Sequence, residues 1–67
     1  MVNRQLFLAK SMENGYSQVG LAEALGVDPS TLSMKVNNKR PFTIAEVEDV
    51  SKLLKLTVKD RNTIFFG

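Results

Sequence analysis

The apolar positions of the chain fall into short groups at helical spacing, each bracketed by residues that start or stop a helix. Asn3 is placed to cap a first helix running to about Glu13, with Leu8, Ala9 and Met12 forming its apolar face. Leu6 and Phe7 widen that face, and the pattern leaves open which of the two points inward. Asn14-Gly15 ends the helix, since both residues tolerate a left-handed C-cap. Ser17 caps a second helix, Gln18 to Leu25, with Leu21, Ala22 and Leu25 on one side and Gly26 at the turn that follows. Asp28-Pro29 opens a third helix whose inward stripe is Leu32 and Val36, and Asn37-Asn38 closes it. After the loop Lys39-Arg40-Pro41-Phe42, Thr43 and Glu46 form a capping box for a fourth helix, with Ile44, Val47, Val50, Leu53 and Leu54 facing the core. Thr57 caps a short fifth helix, about Val58 to Phe66. No segment alternates as a strand does. The expected fold is all-α, a compact bundle of five short helices.

Composition narrows the chemistry. The 67 residues are expected to form one domain, residues 1–67, and at 43% hydrophobic and 24% charged they have the balance of a folded protein. Cysteine and histidine are both absent, which removes disulfides, thiolate or imidazole metal sites, and the usual nucleophile–base pairs. No metal and no cofactor is expected. Glu46 and Asp49 share a helix face as a carboxylate pair would, but acids at a helix start answer the helix dipole, so an enzyme is the poorest reading. No apolar run approaches the ~20 residues of a membrane span, and no signal-peptide core follows the N-terminus, so the expected location is the cytoplasm.

A net charge of +2 permits nucleic-acid binding without requiring it. The distribution is more telling. Lys35, Lys39 and Arg40 fall between Pro29 and Ala45 with no acid among them, and three acids then follow at Glu46, Glu48 and Asp49.

The stretch from Ser17 to Asn38 meets the physical specification of a helix-turn-helix, with the motif proper at residues 17–37. Gly26 lets the second helix of the pair leave at a steep angle. Ala22, four residues earlier, allows close approach, and Leu32, six residues later, plugs the angle. Gln18, Ala22, Gly26 and Leu32, together with Ser30-Thr31-Leu32-Ser33 and the run Val36 to Thr43, resemble the phage repressor and Cro-like helix-turn-helix family, whose domains are lambda repressor-like five-helix bundles of about this size.

That resemblance implies a transcriptional regulator that binds double-stranded DNA, with the recognition helix, about residues 29–36, in the major groove. Pro29, Ser30, Ser33 and Met34 would face base edges, and Gln18, Thr31, Lys35, Asn37, Lys39 and Arg40 would hold the DNA backbone. It also implies a bacterial or bacteriophage source, with the protein on the nucleoid. Relatives often carry Glu at the position of Gly20, and Arg or Gln at those of Pro29 and Met34. Pro29 has no donor for a base and Met34 offers apolar contact alone, so direct readout falls mainly to Ser30 and Ser33. These departures keep a second reading open, a protein-interaction module on the same fold, such as an antirepressor that binds a repressor. Relatives also pair as two-fold dimers, and Ile64, Phe65 and Phe66 are the candidate residues for a homodimer seam.

Overall fold

The side chains that start each helix act locally, and all five do what their chemistry dictates. In a computed structural model describing residues 1–67, the chain forms α1 (Arg4–Glu13), α2 (Gln18–Leu25), α3 (Pro29–Val36), α4 (Ile44–Leu53) and α5 (Val58–Arg61), followed by a π-helical turn at Asn62–Phe66. The fold is all-α. The N-caps are Asn3, Ser17, Asp28, Thr43 and Thr57, each with a side-chain oxygen accepting a backbone N–H of the first turn. Thr43 with Glu46 and Thr57 with Asp60 are reciprocal capping boxes. No helix is long and apolar enough to cross a membrane.

α1 through α4 end alike, each followed by a residue with positive φ: Gly15, Gly26, Asn38 and Lys55. In each case the next N–H reaches back five residues, as from Val27 to the Ala22 carbonyl at 3.0 Å and from Leu56 to the Ser51 carbonyl at 2.9 Å. Lys55, at φ 52°, is the costly member of the set because its Cβ crowds the backbone there. Replacing Lys55 by glycine is expected to stabilise the protein by about 0.5–1 kcal/mol, read as a raised midpoint in urea unfolding with an unchanged m-value.

One cluster makes the core: Phe7, Leu21, Ala22, Leu32, Val36, Val47, Val50, Leu54, Ile64 and Phe65. It departs from the sequence expectation in four places. In α1 the buried positions are Phe7 and Ser11, while Met12 is 78% exposed and Ala9 is exposed. Hydrophobicity alone selects the wrong face by roughly 100°, one residue's rotation. Ser11 can be buried because its hydroxyl donates to the Phe7 carbonyl at 2.8 Å. In α4 the stripe begins at Val47, and Ile44 is 80% exposed. Ile44 lies in the first turn, roughly 90° from the centre of the face that Val47, Val50 and Leu54 define.

The fifth helix does not continue as an α-helix to Phe66. Its last turn widens to i→i+5 bonding, which brings the consecutive residues Ile64 and Phe65 both onto the core. The Asn3 N–H donates to the Ile64 carbonyl at 2.7 Å and ties this turn to the start of the chain. Ile64 and Phe65, expected at a homodimer seam, are therefore interior residues of the protomer, and of the three only Phe66 is exposed.

Candidate DNA interface

The angle between α2 and α3 rests on three side chains and one turn. Gly26 adopts φ 73° at the end of α2, and its N–H and that of Val27 close the turn on the Glu23 and Ala22 carbonyls. Ala22 and Leu32 are fully buried between the helices, with Leu21 beside them. Asp28 then caps α3, accepting the Ser30 N–H at 2.9 Å and the Ser30 hydroxyl at 2.6 Å. Those two bonds, the hydroxyl first, hold the Asp28 carboxyl below its ordinary value.

With Leu32 and Val36 turned inward, helical geometry places Ser30, Ser33, Met34 and Asn37 together on the opposite side of α3. Ser30 is exposed, and Ser33 and Met34 are half-buried. Pro29 is exposed at the margin of this face, and Thr31 lies on its other flank. The hydroxyl proton of Ser30 is engaged by Asp28, so its remaining capacity is as an acceptor. The Asn37 amide donates to the Ser33 carbonyl at 2.8 Å and lies 3.3 Å from the Ser33 hydroxyl, which joins the two into one polar pair. Gln18 is half-exposed at the first position of α2. At Gly20 a Cβ would come within 3.2 Å of the Ser17 hydroxyl that caps this helix, so the bare backbone suits the cap.

The loop after α3 is built to project its two cations. Asn38, at φ 62°, accepts the Val2 N–H at 2.6 Å and donates to the Val2 carbonyl at 3.2 Å, an anchor that the sequence pattern does not reveal. The Phe42 ring packs on Phe65 (centroids 5.2 Å apart) and on Phe7 (5.9 Å). Between these anchors Lys39 and Arg40 are exposed, and neither forms an ion pair.

Lys35 is placed differently. Its ammonium donates to both carboxylate oxygens of Glu46, at 2.6 and 2.5 Å, and the side chains retain 12% and 18% exposure. A stretch that is basic in sequence is thus partly neutralised in space by an acid eleven residues on. Burial alone would raise the Glu46 carboxyl, but the Lys35 ammonium and the Thr43 N–H outweigh it and leave the group below its ordinary 4.5. A depressed carboxyl contributes stability above its unfolded value and loses it as pH falls through the folded one. Unfolding free energy should accordingly decline below about pH 4.5, and Glu46→Gln should decline less steeply over the same acid window in urea titrations, with Asp28 and Asp60 supplying the remaining slope.

Comparison with known proteins agrees with this geometry. A family model described as helix-turn-helix matches residues 9–60, a span that includes α2, α3, α4 and the loops between them. No curated protein and no solved structure matches the chain. A match over most of the chain, on a fold that sets α2 and α3 at a glycine turn around Ala22 and Leu32, leads to one conclusion: the chain belongs to the helix-turn-helix family of DNA-binding regulators.

Proposed function

We propose that this chain is a sequence-reading, repressor- or Cro-like regulator that acts as a single unit over residues 1–67 and lays α3 in the major groove of duplex DNA. Ser30, Ser33 and Met34 face the base edges, with Pro29 at the margin, and Gln18, Thr31, Asn37, Lys39 and Arg40 hold phosphates. The observation that carries this reading is the open polar face of α3 running directly into two unpaired cations, Lys39 and Arg40. The base-reading set is sparse: one engaged hydroxyl, one half-open serine, and a methionine suited to a thymine methyl. Specificity then leans on DNA shape as well as direct contact. The site of action is the bacterial cytoplasm, on the nucleoid or on phage DNA.

A second reading, an antirepressor-like protein module, is favoured by the same sparseness and by Phe66, which is 69% exposed beside Lys39 and Arg40 along a shared groove of about 450 Å³. Two copies pairing on a two-fold site would meet through Phe66, since Ile64 and Phe65 are interior. Selection from a random duplex pool at near-physiological salt separates these readings. Enrichment of a palindrome establishes a dimeric regulator, and a single half-site a monomeric one. No retention, even at low salt, rejects the DNA reading and favours the module.

A further inference from the structure

Glu46 is an acid set against the recognition helix, and it serves two elements at once. Its Oε1 accepts the Thr43 N–H at 2.9 Å, closing the cap of α4, and the same oxygen accepts from the Lys35 ammonium at 2.6 Å. Thr43 answers by accepting the Glu46 N–H at 3.1 Å. The last turn of α3 and the first turn of α4 are therefore joined through one carboxylate, across the loop that carries Lys39 and Arg40. The loop is also held at its near end, where the Lys39 N–H reaches the Met34 carbonyl at 2.8 Å and Asn38 binds the Val2 backbone, and by Phe42 between Phe7 and Phe65. Its two cationic side chains are left free.

We propose that Glu46 is a positioning residue for DNA binding: it clamps Lys35 to the cap of α4 and so fixes the loop that presents Lys39 and Arg40 to the phosphates. Lys35 is a strut of the interface and not one of its phosphate contacts. The inference rests on the DNA-binding reading above and refines it. A phosphate would have to compete for the Lys35 ammonium with a carboxylate that already takes two of its three donors in a partly buried setting. Lys39 and Arg40 have no such competitor.

The test measures affinity for a duplex of about 20 base pairs across a salt series, with thermal melts confirming that each variant is folded at the assay temperature. Removing a phosphate contact lowers the slope of log K against log salt by ~0.9. Lys35→Met keeps the apolar stem and removes the ammonium. It should weaken binding roughly three- to tenfold with an unchanged salt slope. Lys35→Arg, which can still pair with a carboxylate, should restore the affinity. Glu46→Gln added to Lys35→Met should change nothing further, because the clamp is already broken and glutamine keeps the α4 cap. A slope lowered by ~0.9 in Lys35→Met would make Lys35 a phosphate contact and overturn the proposal. So would full affinity in that variant, or a rise in affinity when Glu46→Gln is added, which would mean that Glu46 acts by repelling DNA. Failure of the unaltered protein to bind duplex at low salt would reject the DNA-binding reading itself, and this proposal with it.

Discussion

Leu32→Ala is expected to lower the unfolding midpoint by roughly 10–40 °C. Leu32 is completely buried at the crossing of α2 and α3, where it meets the same cluster as Leu21 and Ala22. Truncating such a leucine costs about 2–5 kcal/mol, the transfer of the removed atoms plus the cavity they leave. A chain of 67 residues has on the order of 3–10 kcal/mol in all, and for a domain this small each kcal/mol moves the midpoint by about 4–8 °C. The site offers little relief by collapse, because Gly26 and the Asp28 cap fix where α3 begins. Circular dichroism melts read the effect directly. A shift below about 3 °C would mean that the angle between the helices is set elsewhere, by the turn alone.

The double replacement Lys39→Ala with Arg40→Ala should do the reverse, leaving stability within about 0.5 kcal/mol and removing most duplex affinity. Both side chains are exposed and unpaired, so nothing in the folded protein depends on their charge. If each neutralises one phosphate, their loss lowers the salt slope by ~1.8 and weakens binding by one to two orders of magnitude at about 0.15 M salt. Fluorescence anisotropy on a labelled duplex across a salt series gives both quantities. An unchanged slope would place the DNA-binding surface away from this loop and from the groove that it shares with Phe66.

These two variants probe parts of the molecule that differ in how they are written. Helix starts are written locally: Asn3, Ser17, Asp28, Thr43 and Thr57 each satisfy a backbone donor two or three residues ahead, so residue type and spacing suffice to find them. The same holds for Gly26, whose positive φ is a property of the residue and its place after an apolar pair. The helix-turn-helix was legible because everything that defines it, from the Ser17 cap to Leu32, lies within a short stretch of chain. The polar face of α3 followed as the side left over once Leu32 and Val36 turn inward.

The face of α1 was not legible in this way. Phe7 is chosen by what packs on it, Phe42 and Phe65 from distant segments, and Ser11 enters the core because its hydroxyl finds the Phe7 carbonyl. Lys55 takes a conformation its own chemistry disfavours, because the packing of Leu54 and Leu56 on either side requires the turn there. Ile64 and Phe65, a plausible seam in sequence, are drawn inward by a widened last turn. The capping role of Glu46 could be read from Thr43, three residues before it, whereas its pairing with Lys35 could not, since nothing local relates two residues eleven apart.

The sequence by itself thus determined the five helices, their caps, the recognition motif and the two loop cations. Only the tertiary structure decided which face of α1 is buried, whether Ile64 and Phe65 belong to the core, and which basic residues are left unpaired. The division has one cause. Capping and turn energies act over a few residues of chain, while burial and charge pairing depend on groups that meet only when the chain has folded.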